Sequence, residues 1–180
     1  MEIRDPIEKA ALIVAFIAIA TVVVRVASEP QWKEFTSRED GFSVLFPGKP
    51  KIEKQSLVVS GIKLEVHSLS AWSRTNAQFT FSYADAPAAP TAEATEGMLD
   101  AQRKALVRGD ESRILSAEKL TINGFPVRRY KAIVEGGSEA DEKLYAVKRR
   151  LYILLVVHDR ERDRQDVEKF FGSFKFEPKE

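Results

Sequence analysis

Lys49 follows Gly48 in the run GFSVLFPGKP, Gly41 to Pro50, and a glycine–lysine step is how a phosphate-binding loop ends. Such a loop needs G-x-x-x-x-G-K-[ST]. Its backbone N–H groups curl around the anion, and its hydroxyl holds the magnesium ion. Here six residues separate Gly41 from Gly48, and Lys49 is followed by Pro50. Pro47 and Pro50 also remove two N–H donors from the cradle. The run reads instead as a strand with Phe42, Val44 and Phe46 on one face, stopped by Pro47-Gly48, and Lys49 as a solvated loop residue.

The other candidates for chemistry are few. His67 and His158 both fall at strand positions. They could meet on neighbouring strands, with Glu65 or Asp159 beside them, as a metal site; the simpler reading is two exposed strand residues. The stretch DRERDRQD sets Asp159, Glu161 and Asp163 at calcium-loop spacing. Arg164 stands where the turn glycine belongs and Phe170 where the bidentate glutamate belongs, so a solvated, self-neutralising start to a helix is expected. No G-x-S-x-G elbow occurs. Glu139, Asp141 and Glu142 cluster in SEADE, read as an exposed turn whose carboxylates have no tuned environment. No catalytic, cofactor or metal residue is therefore assigned, and the chain is not read as an enzyme. Two basic runs remain: Arg128, Arg129 and Lys131, and then Lys148, Arg149 and Arg150. On adjacent strands they would form a ledge for anionic headgroups or an acidic partner. The plainer alternative is a solvated sheet face whose charge blunts edge pairing.

The totals narrow the class. The chain has 180 residues, 44% hydrophobic and 31% charged, which suits one globular domain with an appendage. Its net charge is only +1, so nucleic acid is not an expected partner. With no cysteine, disulfides, thiolate metal sites and an acylated lipoprotein cysteine are excluded.

The appendage is KAALIVAFIAIATVVVRVA, Lys9 to Ala27. Leu12, Ile13, Val14, Phe16, Ile17, Ile19, Val22, Val23 and Val24 form an apolar run without a polar face. About 18 residues at about 1.5 Å each give roughly 27 Å of helix, enough to cross a bilayer core. Three readings compete. A cleaved signal peptide wants a basic start, but MEIRDPIEK carries three acids against two bases, and RVAS is only a fair cleavage site. A buried soluble helix wants a large apolar partner. An uncleaved anchor fits the run best, with Arg25 snorkelling to the headgroups. Residues 1–27 hold three bases and three acids, so the remainder is also +1. A short tail before the span and a domain after it suggest a single-pass protein of a bacterial-type inner membrane, with its domain on the periplasmic side.

The body reads as strands in series. Residues 51–59 and the alternating Ile62, Leu64 and Val66 flank Ser60-Gly61, a hairpin signal; Phe79, Phe81 and Tyr83 follow. Together with the Phe42–Phe46 strand they suggest one antiparallel meander with one buried face. After DAPAAPT a helix is predicted over about Ala92 to Val107, with Met98, Leu99, Ala101, Ala105 and Leu106 on its apolar stripe and Gly109 beyond its end. Asn123-Gly124 joins two more strands. Leu151 to Val157 is apolar on both faces, as a central strand is. Val167, Phe170, Phe171 and Phe174 predict a final helix, loosening after Gly172.

Trp32 and Phe35, then EDGFSVLFPGKP, the helix after a proline-rich loop, INGFPVRRYKA, YILLVV and FFGSFKF resemble the PsbP-like (Mog1/PsbP) domains over about residues 32–176. The resemblance implies an α/β/α sandwich and an accessory role: PsbP is an extrinsic lumenal subunit of photosystem II, and relatives assemble or stabilise membrane complexes. The fused span departs from the soluble plant protein. The expected layout is a tail over 1–9, a transmembrane helix over 10–27, a linker leading into the domain over 28–41 and the PsbP-like domain over 42–180. The fold class is α+β, an antiparallel sheet of about six or seven strands flanked by helices. The expected function is a non-catalytic, membrane-anchored subunit of a photosynthetic or respiratory complex, its partners the lipid bilayer and other subunits. The alternative is a free-standing tethered module that binds a small ligand, lipid or metal.

Overall fold

The computed structural model describes residues 31–59, 62–159 and 163–177. The apolar span expected over residues 10–27 lies outside them; among the described residues, no helix is long and apolar enough to cross a membrane.

Seven strands form the main sheet: β3 (Lys51–Val59), β4 (Ile62–Trp72), β5 (Gln78–Asp85), β6 (Ile114–Ile122), β7 (Phe125–Ile133), β8 (Glu139–Val147) and β9 (Arg150–His158). Their order is β3-β4-β5-β9-β8-β7-β6, every neighbouring pair antiparallel. The strand expected at the centre is there: β9 is fourth of the seven, and its residues from Leu151 to Val156 are all buried. The hairpin signals also hold. Val59 pairs with Ile62 across residues 60–61. Asn123 and Gly124 take φ values of 52° and 80°, the left-handed pair that a type I′ turn demands and that glycine adopts without strain.

The main departure concerns Phe42, Val44 and Phe46. They do not belong to the meander. β2 (Phe42–Phe46) pairs with β1 (Lys33–Ser37) on one side and β10 (Lys175–Phe176) on the other, making a separate three-stranded sheet. Pro47, Gly48 at φ 122° and Pro50 break the chain between β2 and β3, so the two cannot continue as one ladder. β1 also lies inside the stretch read as a linker. Trp32, just ahead of β1, meets Phe79 edge-on at 5.6 Å, and Phe35 stacks on Phe42 at 6.1 Å.

The helices cover opposite faces. α1 (Ala92–Leu106) begins at Thr91, whose Oγ1 accepts the Ala94 N–H, and ends where Gly109 donates to the Lys104 carbonyl at 2.7 Å. Its Leu99 packs with Tyr130, Leu144, Leu151 and Ile153. On the other face α2 (Arg164–Ser173) and the small sheet share a layer. Phe170 contacts Phe46 and Phe79, each at 5.4 Å, and Phe174 contacts Phe81 and Tyr152 at 5.3 and 5.1 Å. Ser173 fastens the two parts of this layer: its Oγ accepts the Leu45 N–H at 2.9 Å and donates to the Phe170 carbonyl at 2.7 Å. The result is a helix, a seven-stranded sheet, and a mixed layer of helix and small sheet.

Because Phe170 is fully buried where all three parts of one face converge, Phe170→Ala should cost about 3–5 kcal/mol, read as a lower midpoint in urea unfolding. An unchanged midpoint would show that this core does not hold the layers together.

Candidate functional site

Side-chain direction sorts the polar residues. Alternate residues of a strand face opposite sides, so Tyr83, Tyr152 and Arg150 share the small-sheet face, while Glu142, Arg128 and Tyr130 share the α1 face. Three polar centres result, two on the first face and one on the second.

The first centre joins the small sheet to the large one. Arg150 opens β9 opposite Asp85, and its Nε and NH2 each reach an Asp85 carboxylate oxygen at 2.7 Å. Its NH1 donates to the Asp40 carbonyl at 3.0 Å, in the turn between β1 and β2. The guanidinium lies over the Tyr83 ring, 4.8 Å from its centroid. Tyr83 donates its hydroxyl proton to Asp40 Oδ2 at 2.8 Å, as does Ser37 at the same distance. His67 stacks on Tyr83 at 4.5 Å. Its Nδ1 is 2.9 Å from the Tyr83 oxygen and its Nε2 is 2.7 Å from Glu65. Burial, and then the Asp40 hydrogen bond, push the Tyr83 phenol well above its ordinary value. The Arg150 hydrogen bonds hold Asp85 below its ordinary value against burial. Tyr83 therefore stays a neutral donor, and Arg150 is bound on both edges of its fork. This is a fastening, and it leaves no activated nucleophile.

The second centre is His158, fully buried, with Nε2 3.0 Å from Asp141 Oδ2. Glu139, Asp141 and His158 bring their ligand-type atoms within 4.8 Å of one another. Lys131 already sits 2.7 Å from Glu139, and Arg129 lies 3.7 Å from Asp141. A cation would have to displace two positive side chains to bind there. The two histidines do not meet. β5 separates β4 from β9, and His67 is level with Tyr152, six residues along β9 from His158.

The third centre lies beneath α1. Glu142 is 1% exposed, and its Oε1 accepts from Gln102 Nε2 at 2.9 Å. Burial pushes the carboxyl up to about 8, with the Gln102 hydrogen bond acting the other way. The sequence reading placed Glu139, Asp141 and Glu142 in an exposed turn; they lie instead in β8. The turn is tighter than expected. Gly136 and Gly137 take φ values of 88° and 87°, and Val134 N–H reaches the Ser138 carbonyl, so the strand resumes at Glu139. Asp163, read as part of a solvated helix start, is also buried. No local signal marked either burial; for Asp141 and Glu142 the pairing of β8 between β7 and β9 decides it.

The six basic residues do not make one ledge. Arg128 turns to the α1 face, is buried, and pairs with Glu96. Arg129 turns the other way, pairs with Glu168 and lies over the Phe171 ring. Lys131 is engaged by Glu139 and Arg150 by Asp85. Lys148 and Arg149 are not on a strand: they form the exposed two-residue turn between Val147 and Arg150, with Lys148 at φ 53°.

No protein-family model matches the chain, and no curated protein matches it closely enough to count as a relative. Among solved structures it is similar to the solution structure of cyanobacterial PsbP (CyanoP) from Synechocystis sp. PCC 6803. The TM-score is 0.56 at 10% identity, covering 88% of this chain and 99% of that one. The chain therefore has a PsbP-like fold.

Arg150→Met should lower stability by about 1–2 kcal/mol, the lower part of the range for charged hydrogen bonds, because water still reaches Asp85 and screens the pair. Asp85 is depressed in the folded state, so its contribution is complete above 3.8 and is lost as pH falls below that value. Urea midpoints of the wild type should therefore drop on acidification below that point more steeply than those of Arg150→Met. Parallel acid profiles would show that the pair is not what the acid breaks.

Proposed function

We propose that this chain is a non-catalytic accessory subunit that docks its PsbP-like domain on a larger membrane complex, a photosystem being the first candidate. The observation that carries the proposal is the fold likeness, which takes in nearly all of the cyanobacterial PsbP domain. The chemistry of the polar centres agrees with it. Tyr83, Asp40, Asp85 and Arg150 bind one another and join the small sheet to the large one, and Asp141 and His158 pair across neighbouring strands, as a rigid docking body requires. The exposed Lys148-Arg149 turn is the basic point offered to an acidic partner, and residues 10–27 supply the anchor that keeps the domain at the periplasmic face. A free-standing tethered binding module is the second reading, and the Glu139, Asp141 and His158 grouping is the observation that favours it.

The test is migration. Membranes solubilised in mild detergent should show the untagged protein moving with a large complex on a native gel, and Lys148→Glu with Arg149→Glu should release it. A lone monomer in every detergent tried would overturn the proposal. A thermal shift of residues 28–180 with one small ligand or divalent metal would favour the binding module instead.

A further inference from the structure

Gln102 and Glu142 present a hydrogen-bonding deficit that one proton removes. Gln102 lies on α1 and Glu142 on β8; both are 1% exposed. Two planar groups, a carboxamide and a carboxyl, are joined by a single bond from Nε2 to Oε1. The remaining oxygen of each, Gln102 Oε1 and Glu142 Oε2, is buried without a hydrogen-bond partner. Two acceptors cannot satisfy each other, and a buried charge with an unpaired oxygen is costly. A carboxylic acid has a donor where a carboxylate has none. With a proton on Oε2, the acid and the amide exchange two hydrogen bonds in one ring, and both deficits vanish together.

We infer that Glu142 is a neutral carboxylic acid paired edge to edge with the Gln102 carboxamide, so that one bound proton fastens α1 to the sheet. The surroundings favour the neutral form. On β9 the register partner of Glu142 is Leu155, which is apolar. From β7, Tyr130 is its partner on the other side, beside Arg128, whose charge is taken up by Glu96. From α1, Asp100 and Arg103 act on Tyr130, and Arg103 is held by Glu111 at 2.9 Å and more loosely by Asp100 at 3.9 Å. No cation among these makes a hydrogen bond to Glu142 in the described structure, so only the Gln102 bond offsets the upward pull of burial on this carboxyl. Losing the proton to water would leave a carboxylate and an amide oxygen facing each other beneath the helix.

The pH consequence has a definite sign. When α1 opens, Glu142 returns to its ordinary value of 4.5, whereas in the closed domain it holds its proton up to about 8. The closed state therefore carries an extra proton between those values, and opening becomes about tenfold easier for each pH unit across the window. The clasp is complete below 4.5 and lost above about 8.

The test uses the full chain in detergent micelles, with hydrogen exchange of the α1 amides measured across this pH range. After correction for the intrinsic rise of exchange with pH, protection of α1 should fall about tenfold per unit in the wild type. In Glu142→Gln, which keeps an amide in place of the acid, it should be flat. Equal slopes in the two proteins overturn the inference. Should the variant not fold, infrared spectroscopy of the wild type decides. A protonated carboxylic acid carbonyl band that persists at neutral pH, and shifts in Gln102→Leu, supports the pair. Absence of that band at neutral pH, with every carboxyl ionised, overturns it.

Discussion

The two-sided burial of β9 is the constraint from which the rest of the structure follows. A strand that alternates apolar residues to both sides must be covered on both sides, and it can only sit inside a sheet. Tyr152, Leu154 and Val156 then require a layer on one face, and Leu151, Ile153 and Leu155 require another on the opposite face. α2 and the small sheet answer the first demand. α1 answers the second. Every polar centre described above lies along the seams that these coverings create.

That division explains why the charged residues look functional in a linear reading and structural in three dimensions. Apolar packing alone is not directional, and it does not fix where a turn or helix sits on a sheet. A bidentate Arg150–Asp85 pair with Tyr83 and Asp40 fixes the turn between β1 and β2 by geometry. Gln102 with Glu142, and Arg128 with Glu96, do the same for α1 within a largely apolar seam. Clusters of this kind have the residue types of an active site, but their hydrogen bonds lead from one layer of the fold to the next.

Much of this was legible in the sequence where a local rule governs the outcome. The apolar run of β9, the Asn123-Gly124 turn, the stripe of α1 and the phenylalanines of α2 each carry their own period or turn chemistry, and each lies where expected. What was not legible depends on partners distant in the chain. Phe42, Val44 and Phe46 show a strand but do not say which strands they join, and the answer is residues 33–37 and 175–176. SEADE looks like solvent-exposed turn chemistry until β7 and β9 close around it. The basic residues looked like one surface because adjacent letters in a strand point to opposite faces, and Arg128 and Arg129 are adjacent.

The small sheet draws β1 from one end of the described domain and β10 from the other, with β2 between them. This sets an order of assembly during synthesis. β3 through β9 can pair as they emerge from the ribosome. One of their faces, with Phe79, Phe81 and Leu154, nevertheless waits for Phe170 and Phe174, which emerge only after β9 is complete. Until then the growing chain carries an aromatic surface that only β1 and β2 can cover, and it is in that interval, before the domain has any partner, that a chaperone would find something to hold.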